Sequence, residues 1–164
     1  MKAGLYPVTV ILEKDGETLA RAATEVTIYD AVLPKQKMMH TEWFYLDCLA
    51  DYYHVPVFSE EHWEIITNYL KEYVKRGCNM ILTPLFTPAL DTAVGIERTT
   101  TQLLDVRVEN GNYSFGFDRV KKWIDLCQSC GIEYFEICHL FSQWGAKYAP
   151  KVMAVVNGKE EQIF

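Results

Sequence analysis

Side chains that can hydrogen-bond to a ligand or stack on it follow a short apolar run near the carboxyl end of the chain. The run covers residues 134–138 and has the composition of a buried parallel strand. His139, Gln143 and Trp144 come soon after it. Because α/β folds bind ligands just past the carboxyl ends of parallel strands, this spacing predicts a binding site there.

Two carboxylates could also take part in chemistry. Glu136 lies inside the run, and strand alternation puts it on the face opposite His139. Burying it unpaired would cost several kcal/mol, so it needs a partner or a wet cavity. Glu42 lies in a second apolar stretch, residues 38–48. We interpret both mainly as structural carboxylates paired inside the protein, although two carboxylates on neighbouring strands could act as general acid and base.

The cysteines favour packing over redox or metal chemistry. There are five, an odd number, in segments with helix or strand patterns, which favours reduced thiols. Cys127 and Cys130 have the spacing of a redox or zinc pair, but no second such pair completes four ligands. Cys138 and His139 would point to opposite faces of a strand. We therefore predict structural thiols, no metal and no cofactor.

The composition excludes several classes of partner. The 164 residues are 49% hydrophobic and 23% charged, as in ordinary globular proteins, and suffice for one medium domain or two small ones. The net charge of −6 disfavours nucleic acid or an anionic membrane surface. No apolar run approaches the roughly 20 residues of a membrane span, and the first residues do not resemble a signal peptide. Reduced cysteines suggest a cytoplasmic location, but the sequence leaves the compartment open.

The elements that would position these side chains fall into two parts. Residues 6–32 alternate like strands around Asp15-Gly16, a hairpin signal, and predict a small antiparallel unit of two or three strands. Residues 34–37 have the composition of a polar linker, which predicts a domain boundary near residues 33–37. We expect residues 1–34 to be the incomplete end of a β-sandwich and residues 38–164 to form a separate domain.

In the second part, the order helix, glycine, strand, polar loop occurs twice, over residues 60–88 and 118–145. Ser59 is a predicted cap of the first helix, with Phe58 and Trp63 as a hydrophobic staple. Asp118 is a predicted cap of the second. Two such units after an opening strand are typical of a parallel sheet with right-handed crossovers.

The repeat predicts where three strands lie. Residues 42–47, 79–83 and 134–138 should lie side by side and point the same way. Trp43 and Asp47 would then lie near the end of the opening strand, as a pocket wall and a hydrogen-bond acceptor.

Two hairpins complete the prediction. Asn110-Gly111 separates residues 103–108 from residues 113–117, and Asn157-Gly158 lies within a surface hairpin of the tail.

Three parallel strands cannot close a barrel and leave apolar edges uncovered. The expected fold class is therefore α/β, a partial (β/α)8 TIM-type barrel after the end of an antiparallel β-sandwich. We favour a fragment of a longer protein over an open sheet that dimerises. Uncovered edges would also make the chain self-associate.

Several short sequence segments, taken in order, resemble glycoside hydrolase family 123 and its uncharacterised relatives. No single segment is diagnostic, but the resemblance as a whole covers about residues 5–164. The segments that carry it are residues 42–53, 59–63, 77–91, 112–118 and 134–151.

This resemblance implies a β-sandwich followed by a (β/α)8 barrel that removes terminal N-acetylhexosamine, typically N-acetylgalactosamine, from glycans. It implies substrate-assisted retention, in which the acetamido oxygen of the substrate attacks the anomeric carbon. An adjacent Asp-Glu pair orients the acetamido group and protonates the leaving oxygen. No Asp-Glu dipeptide occurs in these 164 residues, so we expect this chain to be inactive by itself.

Within that resemblance, the expected substrate-binding residues are Trp43, Asp47, His139, Gln143 and Trp144. His139 could instead be a structural histidine, and Trp144 a packing anchor. Two other functions remain open. One is a non-catalytic carbohydrate-binding or interaction module that uses Trp43, His139 and Trp144. The other is a metal-dependent hydrolase built on His139, Glu136 and Asp47, although histidines at metal-ligand spacing do not occur.

Overall fold

The computed structural model describes residues 1–35, 37–88, 96–141, 145–146 and 149–164. The chain divides into two compact units, Met1–Lys37 and Met38–Phe164. Three helices and eight strands occur in the described residues, and none of these helices is long and apolar enough to cross a membrane.

The first unit is one long antiparallel hairpin, and the predicted hairpin turn is confirmed. Strand β1 (Gly4–Lys14) pairs with β2 (Glu17–Ile28). Asp15 and Gly16 connect them with φ of 51° and 84°, the left-handed values that a two-residue hairpin turn requires. Strand β2 is a single strand of 12 residues.

One face of this hairpin is apolar. Residues paired across an antiparallel ladder share a face, so from Gly4 to Leu12 the register places the even-numbered residues of β1 beside even-numbered residues of β2. The apolar side chains of this face are Tyr6, Val8, Val10, Leu12, Ala20, Ala22, Val26 and Ile28. Most of them are exposed.

The second unit does not begin with the predicted strand. Residues 41–45 have no regular structure, and helix α1 (Leu46–Tyr53) follows at once. The strand prediction for residues 42–47 is therefore wrong. Leu46, Leu49 and Ala50 recur at helical spacing and are all buried, so helix formation covers them together. A short apolar run does not distinguish a strand from a helix by its pattern alone.

Helix α2 (Glu60–Lys75) begins as predicted. The Ser59 hydroxyl accepts a hydrogen bond from the His62 amide at 3.2 Å. Phe58 and Trp63 stack with their ring centroids 5.3 Å apart, which confirms the staple.

The central strands pair in parallel. Strand β3 (Met80–Thr83) lies beside β6 (Tyr134–Ile137), in register from Met80 with Tyr134 to Thr83 with Ile137. Burial of β6 was predicted wrongly, since Tyr134 is 40% and Ile137 54% exposed. Among the described residues β6 has β3 as its one strand partner, so its other edge is open.

A second sheet has the order β5-β4-β7-β8. Its strands are β4 (Asp105–Glu109), β5 (Asn112–Gly116), β7 (Met153–Val156) and β8 (Lys159–Gln162). Both predicted hairpins are confirmed, with Asn110-Gly111 and Asn157-Gly158 as their turns. However, the tail is more than a surface hairpin, because β7 pairs in parallel with β4 and Ala154 is buried.

Helix α3 (Asp118–Cys130) ends at Gly131, as predicted, with φ of 104°. Phe117 rather than Asp118 occupies the cap position, and Asp118 lies in the first turn, where the helix dipole favours an anion. Trp123 and Cys127 are buried in the main core of this unit, beside Ile66 and Leu70 from α2.

Candidate functional site

Three side chains meet at the carboxyl end of β6. The indole Nε1–H of Trp43 donates a hydrogen bond to Glu136 Oε2 at 2.8 Å. The His139 ring meets the Trp43 ring edge to face, with centroids 5.2 Å apart and an interplanar angle of 77°. Trp43 is 41% exposed, so part of the indole remains free for a ligand. We call these three residues the indole cluster.

The end of β6 explains why Glu136 and His139 reach the same ring. Strand alternation predicted them on opposite faces, but β6 ends at Ile137. Residues 138 and 139 therefore lie outside the strand, where alternation no longer fixes the side-chain direction. The Cys138 amide donates a hydrogen bond to the Thr83 carbonyl at 3.1 Å, which holds the backbone here beside the end of β3.

Trp43 is positioned by the segment before it, which is hydrogen-bonded to the start of β3. The His40 carbonyl accepts from the Asn79 and Met80 amides, both at 3.1 Å. The His40 amide in turn donates to Asn79 Oδ1 at 2.8 Å. The segment is thus attached to the start of β3, although it does not form a regular strand.

Tyr73, on α2, fixes the same segment next to Trp43. Its hydroxyl accepts from the Glu42 amide at 2.8 Å and donates to the Met80 carbonyl at 2.7 Å. Burial raises the pKa of Tyr73, so the hydroxyl keeps the proton that it donates. The sequence pattern did not indicate Tyr73 as a residue that positions the site. The available signal was that a half-buried tyrosine hydroxyl needs a partner.

The two carboxylates considered above have different partners. Glu136 accepts from Trp43, whereas Glu42 Oε1 lies 3.3 Å from His40 Nε2 at the surface. The described contacts do not pair the two carboxylates with each other.

Asp47 lies in the first turn of α1 and is buried. Its carboxylate accepts from Arg98 Nε at 2.7 Å and from Arg98 Nη2 at 3.3 Å. The guanidinium also stacks over Tyr45, 3.9 Å from the ring centroid. The Asp47 and Arg98 side chains are only 5% and 9% exposed, so the pair joins α1 to the segment before β4.

The other two predicted site residues, Gln143 and Trp144, lie outside the described residues.

All five cysteines are free thiols. Burial raises the pKa values of Cys127 and Cys138, which keeps both thiols protonated. Within the described ranges, no three metal-ligating side chains are grouped closely enough to hold an ion.

The indole cluster combines a partly exposed aromatic ring with a carboxylate and an imidazole. Such a set suits a ligand that has both an apolar face and hydroxyl groups. It lies at the carboxyl end of a parallel strand, the edge at which α/β proteins bind their ligands. The described chain thus combines helices with parallel strand pairs and places an aromatic ring, a carboxylate and an imidazole together at one strand end.

Comparison with known proteins gives the family. Residues 43–164 match the family described as "Glycoside hydrolase 123, catalytic domain". The match covers more than half of the chain, so the chain belongs to this glycoside hydrolase family. This confirms the family resemblance seen in the sequence. The substrate class of the family is carbohydrate. No curated protein matches the chain. The match begins at Trp43 and includes the whole indole cluster.

Proposed function

We propose that this chain is part of a glycoside hydrolase that removes terminal N-acetylhexosamine, of the N-acetylgalactosamine type, by substrate-assisted retaining hydrolysis. The observation that carries the proposal is the indole cluster, which lies inside the family match and at the carboxyl end of β6. In this proposal β3 and β6 are strands of a (β/α)8 barrel, and the β1–β2 hairpin is the end of an antiparallel sandwich.

The proposal gives each side chain of the cluster a task. The free part of the Trp43 indole packs against the apolar face of the pyranose ring, as aromatic rings do with amphipathic ligands. His139 is exposed beside it and hydrogen-bonds a sugar hydroxyl. Gln143 and Trp144, which follow in sequence, remain predicted contacts. Asp47 also remains a predicted contact, with Arg98 as its partner inside the protein.

The proposed reaction needs two groups that this sequence does not supply. Attack by the acetamido oxygen requires a carboxylate that orients the acetamide, and departure of the aglycone requires a general acid. The resemblance assigns both tasks to an adjacent Asp-Glu pair, and the 164 residues contain none. We therefore expect this chain to bind the sugar without hydrolysing it.

Binding of methyl N-acetyl-β-D-galactosaminide to the purified chain, measured by calorimetry or NMR titration, tests the proposal. Trp43→Ala should weaken binding about tenfold, since a stacked ring contributes roughly 1 kcal/mol or more. Tyr52→Ala is the matched control, because Tyr52 is also an exposed ring but its partner is Tyr53 on α1. Equal binding of Trp43→Ala and wild type would contradict the proposed site.

A non-catalytic carbohydrate-binding module is the second candidate. The absence of an Asp-Glu pair from the 164 residues favours it. The coding sequence beyond codon 164 distinguishes the two functions. A stop codon, together with sugar binding by the purified chain, supports the module. An Asp-Glu pair at a predicted strand end downstream supports the hydrolase.

A further inference from the structure

We propose that Glu136 is a positioning residue that fixes the Trp43 indole for sugar binding. This inference rests on the proposed function, because it assumes that the Trp43 ring contacts a sugar. Its basis is the 2.8 Å hydrogen bond from Trp43 Nε1 to Glu136 Oε2, which joins residues 93 positions apart in sequence.

An exposed tryptophan needs such support to bind a ligand well. Trp43 lies in a segment without regular secondary structure, and 41% of its surface is exposed. A side chain that is free to change rotamer loses that freedom when a ligand binds, and affinity falls accordingly. A ring held in place before binding avoids the loss.

Two contacts hold this ring. The hydrogen bond to Glu136 fixes the direction of the Nε1–H bond, and the His139 ring, inclined by 77°, packs against the indole. The backbone next to Trp43 is fixed as well, since the Glu42 amide donates to Tyr73. The remaining exposed part of the indole is what the structure offers to a ligand.

Glu136 is well suited to this task. It lies on β6, whose backbone pairs with β3, so its position does not depend on a loop. An ionised carboxylate also accepts a stronger hydrogen bond than a neutral group would. Glu136→Gln should therefore keep a weaker bond, and Glu136→Ala should remove it.

The first test needs no sugar. The chain has four tryptophans, and in a ¹H–¹⁵N spectrum the indole signal missing from Trp43→Phe identifies Trp43. Glu136→Gln should shift that signal, because the acceptor loses its charge. Glu42→Gln is the matched control, since it makes the same chemical change one residue from Trp43 on a carboxylate that faces His40. An unchanged Trp43 signal in Glu136→Gln would overturn the inference.

The second test measures coupling in the binding of methyl N-acetyl-β-D-galactosaminide. Glu136→Ala should weaken binding about fivefold in the wild-type background, the size of the loss expected when one side chain must be immobilised on binding. In the Trp43→Phe background, which has no Nε1–H, the same substitution should change binding by less than about twofold.

The outcomes separate the inference from the function on which it rests. If wild type binds the sugar, Trp43→Ala weakens binding and Glu136→Ala costs the same factor in both backgrounds, Glu136 acts independently of Trp43. The positioning role is then wrong, but the proposed function stands. If wild type does not bind the sugar, the proposed function and the positioning role both fail.

Discussion

The His62 imidazole shows how one buried side chain joins two helices of the second unit. It is completely buried, its Nδ1 accepts from the Phe58 amide at 2.9 Å, and its Nε2–H donates to the Leu46 carbonyl at 3.0 Å. These two bonds require the neutral ring with its proton on Nε2. Burial lowers the pKa of His62, and the bond to Leu46 opposes that shift only in part.

This arrangement makes stability sensitive to mild acid. In the unfolded chain, His62 takes up a proton near pH 6.5, whereas the folded protein resists protonation. The His62 contribution is present above that pH and is lost as pH falls through the lowered folded pKa. The free energy of unfolding in urea should fall between pH 7 and pH 5, by at most about 1.4 kcal/mol per pH unit for this one group.

The variant His62→Gln should be less stable than wild type at pH 7 but should lose most of this pH dependence. His54→Asn is the control, because His54 is exposed with φ of 56° and asparagine tolerates that conformation. It should keep the wild-type slope. A wild-type slope in His62→Gln would assign the acid sensitivity to other groups.

A second prediction at this scale concerns the pair formed by Asp47 and Arg98. Both side chains are at least nine-tenths buried, and Asp47→Asn removes the carboxylate charge that lies 2.7 Å from the buried guanidinium. We expect a loss of about 3 kcal/mol in the free energy of unfolding, measured by urea denaturation. Glu72→Gln removes the exposed contacts to Lys75 and Arg76 and should not change stability measurably. A loss below about 1 kcal/mol for Asp47→Asn would contradict the structural role of the pair.

The indole cluster shows which parts of the site could be predicted from residue types alone. Trp43 and His139 were predicted as site residues because polar and aromatic side chains were expected at strand ends, although residues 42–47 form no strand. The need of Glu136 for a partner also followed, since a carboxylate within an apolar run cannot be buried alone. The identity of that partner did not follow, because the contact to Trp43 spans 93 residues and depends on how the chain folds back.

At the scale of elements, the attachment of residues 40–45 to α2 and β3 controls the site. Tyr73→Phe removes the acceptor of the Glu42 amide and the donor to the Met80 carbonyl. We expect a loss of about 1–3 kcal/mol in the free energy of unfolding, the usual cost of leaving such groups without partners. Sugar binding should weaken too, because Trp43 follows Glu42 directly.

Tyr69→Phe is the matched control for this prediction. It makes the same substitution on the same helix, but the Tyr69 hydroxyl is exposed and bonds only to that of Tyr53 among the described contacts. Urea denaturation and calorimetric titration with the sugar measure both effects. If Tyr73→Phe and Tyr69→Phe behave alike, the segment does not depend on Tyr73.

Elements with local signals were predictable, and those decided by distant packing were not. The start of α2 followed from Ser59 and the staple, and three hairpin turns followed from Asp-Gly or Asn-Gly pairs. Helix α1 was missed, because eight residues with a mixed pattern fit a strand equally well. The exposure of β6 was also missed, because burial depends on neighbours that its own sequence does not specify.

At the scale of the molecule, the parallel pairing of β3 with β6 followed from the repeated helix–glycine–strand order. The parallel pairing of β7 with β4 did not, since the two strands are far apart in sequence and no local signal relates them. The family match begins at residue 43, so the β1–β2 hairpin lies outside it. The surface of that hairpin is apolar on one face.

That surface predicts self-association of the chain. The apolar face of the hairpin is largely exposed, with Val10 at 64% and Leu12 at 60%. Exposed apolar surface of this kind drives association, because burying it releases roughly 25 cal/mol per Å². We expect the apparent mass in sedimentation or light scattering to rise with protein concentration. Val10→Lys should weaken association about tenfold or more, since a lysine ammonium would have to be buried on that face.

The neighbouring residue provides the control. Thr9 is exposed and lies on the opposite face, where it pairs with Ala23, whereas Val10 pairs with Ala22. Thr9→Lys adds the same charge to the same strand and should leave the association constant nearly unchanged. Equal weakening by both substitutions would show that the loss of association does not depend on the apolar face. A monomer at all concentrations would show that the apolar face does not drive association.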